Sequence, residues 1–244
     1  MKRLMIGACV GVIGLLGLSA SGATLSGSLT TSVASPVDLT AMGTVDWATW
    51  DYRAGSAGTN GVASNRKLGG TAIGVATALK GTPRGITGTI PAPAPAYSYT
   101  DGTSPTTLSN TLIGALTDTS VNVVGSGVRL TVAGDPTRPR TVNVYLSGFN
   151  GVGAFTATLN GATQYFNDGV SYVNSIRTPA LYTLTFQPDS AADLLTIQYE
   201  VESLSGGGNA NMDLQAVAVS VPEPGVISAV GLGAVGLMRR SRRR

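Results

Sequence analysis

The chain predicts an all-β fold, an antiparallel β-sandwich or jelly-roll body flanked by an N-terminal signal helix and a short C-terminal transmembrane helix. Three observations carry this. From Val128 onward, apolar and polar residues alternate with a period of two in segment after segment, the spacing that sets one face of a strand against a core. The pairs Asn150-Gly151, Asn160-Gly161 and Asp168-Gly169 stand between such segments, and these dipeptides readily take the positive φ of tight hairpins. No apolar stripe of period 3.6 and helical length lies between the two apolar ends of the chain.

The N-terminus opens with Lys2 and Arg3, continues as an apolar run over residues 4–18 and reaches the small residues Ser21-Gly22-Ala23. This is the three-part pattern of a secretory signal peptide. Residues 1–23 are expected to be removed after Ala23, leaving Thr24 as the mature start; an uncleaved membrane anchor is the alternative. Cys9, the sole cysteine, leaves with that segment, and the chain has no histidine, so the mature protein is expected to lack disulfide, thiolate and imidazole chemistry.

Residues 24–221 form the expected β-sandwich domain. In its first half, residues 55–65 and the Pro-Ala stretch 91–96 read as loops, the second stiffened toward polyproline II. The Pro-Ala stretch is read as a surface crossover, with an interdomain linker as the alternative. Residues 72–79, the best candidate for a helix in the body, read equally as a strand punctuated by Gly and Thr. In the second half the alternation is sharper. Val142, Val144 and Leu146 share one face, Phe155, Ala157 and Leu159 another, and the segments 181–186, 194–201 and 212–219 continue in Val, Thr, Tyr, Leu and Phe, residues that suit a pleated surface.

The formal charge of +3 and the pI of about 9.2 invite a nucleic-acid reading. The ends mislead, however. Between Thr24 and Ser220 stand nine basic against twelve acidic residues, and the basic ones are scattered with no phosphate-binding stripe. Nucleic acid is not an expected partner. A hydrophobic content of 43% is too high for a chain without a core.

Several segments resemble chemistry and are weighed against simpler readings. Gly231-Leu232-Gly233-Ala234-Val235-Gly236 spells the dinucleotide fingerprint, but that motif needs a strand before it, a helix after it and an acid about 20 residues on; here the chain ends in arginines. Trp47 and Trp50, flanked by Asp46 and Asp51, suggest a glycan contact, yet residues three apart on a strand face opposite sides and cannot form one platform without a bulge or turn. The competing expectation is that Trp47 closes the core and Trp50 covers a loop. Glu200 and Glu202 are a carboxylate pair of the kind glycoside hydrolases use, but on one strand they lie side by side, sharing a face with Thr196 and Gln198. Asn167-Asp168-Gly169 and Asn209, Asn211 and Asp213 offer oxygens to a structural calcium, although neither matches the EF-hand loop. No other cofactor or metal is expected. Serine nucleophiles lack an activating partner.

The last 23 residues are the most informative. Val221-Pro222-Glu223-Pro224 is a stiff extended segment that presents one carboxylate, because both prolines fix φ. An apolar run follows over residues 226–238, with Val226, Leu232, Val235, Leu237 and Met238, and then Arg239, Arg240, Arg242, Arg243 and Arg244, which resist translocation and hold the end on the cytoplasmic side. This tail resembles the PEP-CTERM sorting signal of exported bacterial proteins, with residues 221–224 as the recognition motif, 225–238 as the membrane helix and 239–244 as the basic stop. The resemblance implies handling by an exosortase, a membrane transpeptidase-like enzyme that recognises the Pro-Glu-Pro segment and passes the protein to the surface. In the body, Asp38-Leu39-Thr40 with residues 43–50 looks like the opening strand of β-sandwich modules of extracellular bacterial proteins; it supports fold alone.

The expected function is therefore an exported, non-catalytic cell-surface or extracellular-matrix protein, transiently membrane-anchored through residues 222–244. Its expected partners are the secretion machinery, an exosortase, the membrane and an extracellular polysaccharide. A carbohydrate-binding β-sandwich module is the alternative, favoured if Trp47, Trp50 or several of Tyr97, Tyr99, Tyr145, Tyr165 and Tyr172 share an exposed groove. A carboxylate-based glycoside hydrolase, which needs two acids converging from different strands, is the third.

Overall fold

The computed structural model describes residues 22–50, 61–86, 94–160, 163–172, 179–205 and 210–222. Among these residues the fold is all-β, with several antiparallel sheets and one helical turn. The short elements come first: β1 (Thr24–Thr30), β2 (Val37–Asp38), α1 (Leu39–Met42), β3 (Asp46–Thr49), β4 (Asn65–Arg66), β5 (Thr77–Ala78) and β6 (Pro83–Ile86). Then follow β7 (Ala96–Tyr99), β8 (Leu108–Leu112), β9 (Ala115–Asp118), β10 (Gly127–Ala133) and β11 (Arg140–Phe149). The chain closes with β12 (Gly151–Leu159), β13 (Thr163–Tyr172), β14 (Ala180–Gln187), β15 (Leu194–Leu204) and β16 (Asn211–Ser220).

A central sheet runs β1-β14-β11-β16-β3-β4, with β9 paired to β16 and β6 to β9. The second sheet runs β13-β12-β15-β10-β5, and a small third one β2-β7-β8. Early and late strands interleave: β1 pairs with β14, and β3 with β16.

The central and second sheets share one core, built from the faces that alternation predicts. Val142, Val144 and Leu146 of β11 meet Phe155, Ala157 and Leu159 of β12 and Leu195, Ile197, Tyr199 and Val201 of β15. Phe155 stacks on Tyr182, with ring centroids 3.8 Å apart and planes within 5°. Strand β16 departs from simple alternation because it is buried on both sides from Asn211 to Val219. Met212, Leu214, Val217 and Val219 enter the main core, whereas Ala216 and Ala218 face the small sheet. The phase changes at Gln215, where Tyr145 pairs with Ala216 but Leu146 with Leu214, leaving Gln215 as the extra residue of a bulge. The central sheet is thus the middle of three layers.

The three glycine-containing turns behave differently. Asn160 has φ 53° and leads into the expected hairpin between β12 and β13. Asn150 also has φ 53°, but β11 and β12 belong to different sheets, so Asn150-Gly151 is a corner that carries the chain across the core. Asp168-Gly169 lies inside β13, where Ala154 pairs with Asp168 and Gly153 with Val170; it is a bulge, not a turn. A dipeptide tolerant of left-handed backbone serves all three geometries.

Thr24 pairs with Gln187, Arg140 with Phe186 and Ser220 with Thr141, so β1 begins and β16 ends at the same end of the central sheet. The expected signal and transmembrane helices lie outside the described residues. No helix among the described residues is long and apolar enough to cross a membrane.

Candidate functional site

The seam between the central sheet and the small sheet holds both an aromatic cluster and a cavity. Trp47 points into the seam and Trp50 into the main core, as strand geometry requires of residues three apart. Trp47 lies 4.5 Å from Tyr99, ring centre to ring centre, and its Nε1 donates to Asp101 Oδ1 at 2.8 Å. Trp50 Nε1 donates to the Gly61 carbonyl at 2.9 Å. Both indoles are 0% exposed, so neither offers a face to a sugar; the large apolar rings are worth more inside the two cores.

Beside Tyr99 a cavity of about 190 Å³ opens between the layers. Its polar lining comes from Thr49, Ser64, Asn65 and Tyr99, its apolar lining from Pro105, Leu108 and Ile113. Asn65 builds one wall. Its Nδ2 donates to Tyr99 Oη at 3.0 Å and to the Pro105 carbonyl at 2.9 Å, while Oδ1 accepts from Arg66 N, Thr103 N and Thr103 Oγ1. One amide 5% exposed thereby fixes the loop from 102 to 105 against β4 and β7. Gly102 is required there, since a Cβ would stand 2.8 Å from the Pro105 carbonyl and 2.9 Å from Asn65 Oδ1. Next to Asn65, Ser64 Oγ donates to the Thr49 carbonyl at 2.9 Å, and the Thr49 and Ser64 hydroxyls are 3.5 Å apart, the outer limit of a hydrogen bond.

No family model, curated protein or solved structure matches the chain. What the site can do must therefore be read from its own groups.

The acids around the seam hold backbone and cations. Asp46, 0% exposed, accepts from Ile73 N and Arg66 Nη2, both at 3.0 Å. Asp101 accepts from Trp47, Thr40 and Lys67 and so ties α1, β3 and the residues after β4 and β7 together. Burial alone would raise its carboxyl, but these hydrogen bonds outweigh burial and hold it below the ordinary carboxylate range. Asp118 ends β9 inside a ring of amides: Lys80 N, Gly81 N and Ser120 N at 2.8 Å and Gly127 N at 3.3 Å. Here too burial opposes and the amide bonds prevail, leaving the carboxyl lowered. Burial pushes the Tyr97 hydroxyl well up, with the neighbouring Tyr145 adding to the effect, and Tyr145 rises to about 12; neither is a base at neutral pH.

The other predicted residues lie apart from this site. Glu200 and Glu202 are on the outer face of β15, with Glu202 the extra residue where β12 pairs Val152 with Ser203 and Gly153 with Val201. Their neighbour Gln198 accepts from Arg129 Nε at 2.6 Å, the behaviour of a solvated strand face. Tyr97, Tyr99 and Tyr145 are buried and Tyr165 is half-buried; the Tyr172 side chain lies outside the description. Of the calcium candidates, Asn211 turns its amide toward Asp213 and Asn167 Oδ1 accepts from Tyr182 Oη at 3.4 Å, while Asn209 is outside the described residues. Among those residues no group of three or more His, Cys, Asp or Glu stands together.

Ala23 is half-buried and packs against the main core, and Val221 and Pro222 are half-buried just beyond β16. Glu223, Pro224, the anchor residues and the terminal arginines lie outside the described residues. The pocket residues Thr49, Ser64 and Asn65 were not singled out by the sequence. Their polar types suit any loop, and their partners come from residues 99–108.

Proposed function

We propose that this protein is a non-catalytic β-sandwich module of the cell surface or extracellular matrix, exported by its signal peptide and sorted by an exosortase through residues 221–244. The observation that carries the reading is the tail itself: Pro222-Glu223-Pro224, an uncharged apolar run and five arginines in the last six residues. The apolar run of thirteen residues reaches about 20 Å as a helix, against a hydrocarbon core of roughly 30 Å. Such a length suits a segment held until an enzyme acts better than a permanent span.

The body fits a packing or adhesive role. Its acids Asp46, Asp101 and Asp118 are engaged in joining loops, and its two facing sheets pack around a stacked aromatic centre. In this reading Glu223 is a recognition carboxylate supplied to the exosortase. Glu223→Ala in the native host is expected to leave full-length protein in the membrane fraction, whereas the wild type is shortened and found at the surface or released. Identical accumulation of both as full-length membrane protein would make the tail an ordinary anchor.

A further inference from the structure

Delivery to a surface leaves open what the module meets there, and the seam pocket offers an answer that does not depend on the tail. We propose that the pocket binds one neutral sugar ring of a polysaccharide.

Size comes first. A volume of about 190 Å³ falls below the range of about 300–1,000 Å³ that holds drug-sized ligands. It also far exceeds the roughly 30 Å³ share of one water. The pocket suits a compact single ring. Its chemistry then narrows the class. The lining divides into hydroxyls, from Thr49, Ser64 and Tyr99, and apolar surface, from Pro105, Leu108 and Ile113. A sugar ring has the same division, hydroxyls at its edge and C–H groups on its faces. A purely apolar ligand would leave the Thr49 hydroxyl with no partner better than Ser64 at 3.5 Å, which is unfavourable.

Charge is the third filter. No charged side chain lines the pocket, and the nearest cations are committed, Arg66 to Asp46 and Lys67 to Asp101. An anionic sugar would find no partner for its carboxylate. The fourth consideration is rigidity. Asn65 spends its amide on the wall, so the loop carrying Pro105 is set before any ligand arrives, which lowers the ordering cost of binding. Thr49 is the group left for the ligand: it is 2% exposed, and its hydroxyl has only the 3.5 Å approach of Ser64. Outside, exposed Ser104, Thr106 and Thr107 continue the hydroxyl character of the rim for the next unit of a chain.

The test is saturation-transfer NMR on the full-length chain in a detergent without a sugar headgroup. Methyl glycosides of glucose, galactose and mannose, glucuronate, and neutral oligosaccharides of the same sugars are the probes. Transfer to at least one neutral glycoside is expected, with a dissociation constant on the order of 1 mM. Its oligosaccharide should bind at least as well, and glucuronate should give no transfer. Thr49→Val is expected to weaken binding about tenfold by removing one hydrogen-bond partner. Leu108→Trp, which fills the pocket from the half-buried side of β8, is expected to abolish transfer with the thermal melt retained. No transfer to any neutral glycoside would overturn the proposal, as would equal transfer to glucuronate or undiminished binding in a folded Leu108→Trp variant.

Discussion

The long strands from β10 to β16 and the short elements from β2 to β9 solve the same problem by different means. In the first region, adjacency in the ladder and alternation along each strand do the work: Phe155 and Tyr199 meet because β12 and β15 are in register, and Tyr182 stacks on Phe155 from the facing sheet. In the second, strands of two to five residues bury too little apolar surface to hold themselves, and single polar side chains tie them together. Asn65, Asp101 and Asp118 are the knots. Stability in the long-strand region is spread over many weak contacts, while in the short-strand region it is concentrated in a few charged or amide groups.

That contrast can be broken most severely at Phe155. Phe155→Ala removes a fully buried ring stacked on Tyr182, and about 3–5 kcal/mol of global stability should be lost. The urea midpoint should fall for every probe at once, and a loss confined to one sheet would show that the two sheets do not unfold together.

Asp118→Ala comes next. It leaves the amides of Lys80, Gly81, Ser120 and Gly127 without their acceptor, and a loss of about 2–3 kcal/mol is expected. Native-state hydrogen exchange should show it first around β6 and β9, with β12 still protected.

Acid should pick out the same region. Asp101 and Asp118 both have lowered pKa values in the folded chain. Their contribution is therefore full above the ordinary carboxylate pKa and is lost as pH falls through the lowered folded values. Exchange in β2, β7 and β9 should rise on acidification before that in β12 and β15. Simultaneous loss of protection would place the acid sensitivity elsewhere.

The mildest change is Asn160→Ala. An alanine at φ 53° costs about 1 kcal/mol relative to asparagine, a small fall in the urea midpoint that refines the register of the β12–β13 hairpin without opening the short-strand region.

The two regions also differ in how far they can be read from sequence. Leu195, Ile197, Tyr199 and Val201 announce their burial by spacing, because one face of β15 is buried and the other is not; Val142, Val144 and Leu146 are as regularly spaced, although Asn143, Tyr145 and Ser147 on the other face of β11 are buried too. Strand β16 was legible as a strand, but its burial on both faces was not, since Ala216 and Ala218 are silent about the small sheet that covers them. The short-strand region is harder still. Asn65 bonds with Tyr99 and Pro105, and Asp101 with Trp47 and Thr40, across separations of 34 to 61 residues, and no local pattern encodes such pairings. The seam pocket inherits that opacity. The glycine dipeptides marked where the backbone turns left-handed or bulges, but not whether the next strand pairs with the last, as the corner at Asn150 shows.

Strand β16 gives the C-terminal tail an unusual footing. It is gripped by β11 from Asn211 to Ser220 and by β3 from Ala216 to Val219, and the chain continues from it through Val221 and Pro222 without a spacer. Any pull on the tail is delivered along the axis of a strand in the middle of the sheet. Its rungs, lying across that axis, share the load together instead of parting one by one. Slippage by one residue is blocked as well, because it would exchange Val217 and Val219 for Ala216 and Ala218 between a deep core and a shallow one. If residues 222–244 anchor the protein as proposed above, the body acts as a shear joint at the root of that tether, and severing the chain beyond Pro222 is a far easier release than drawing the strand out.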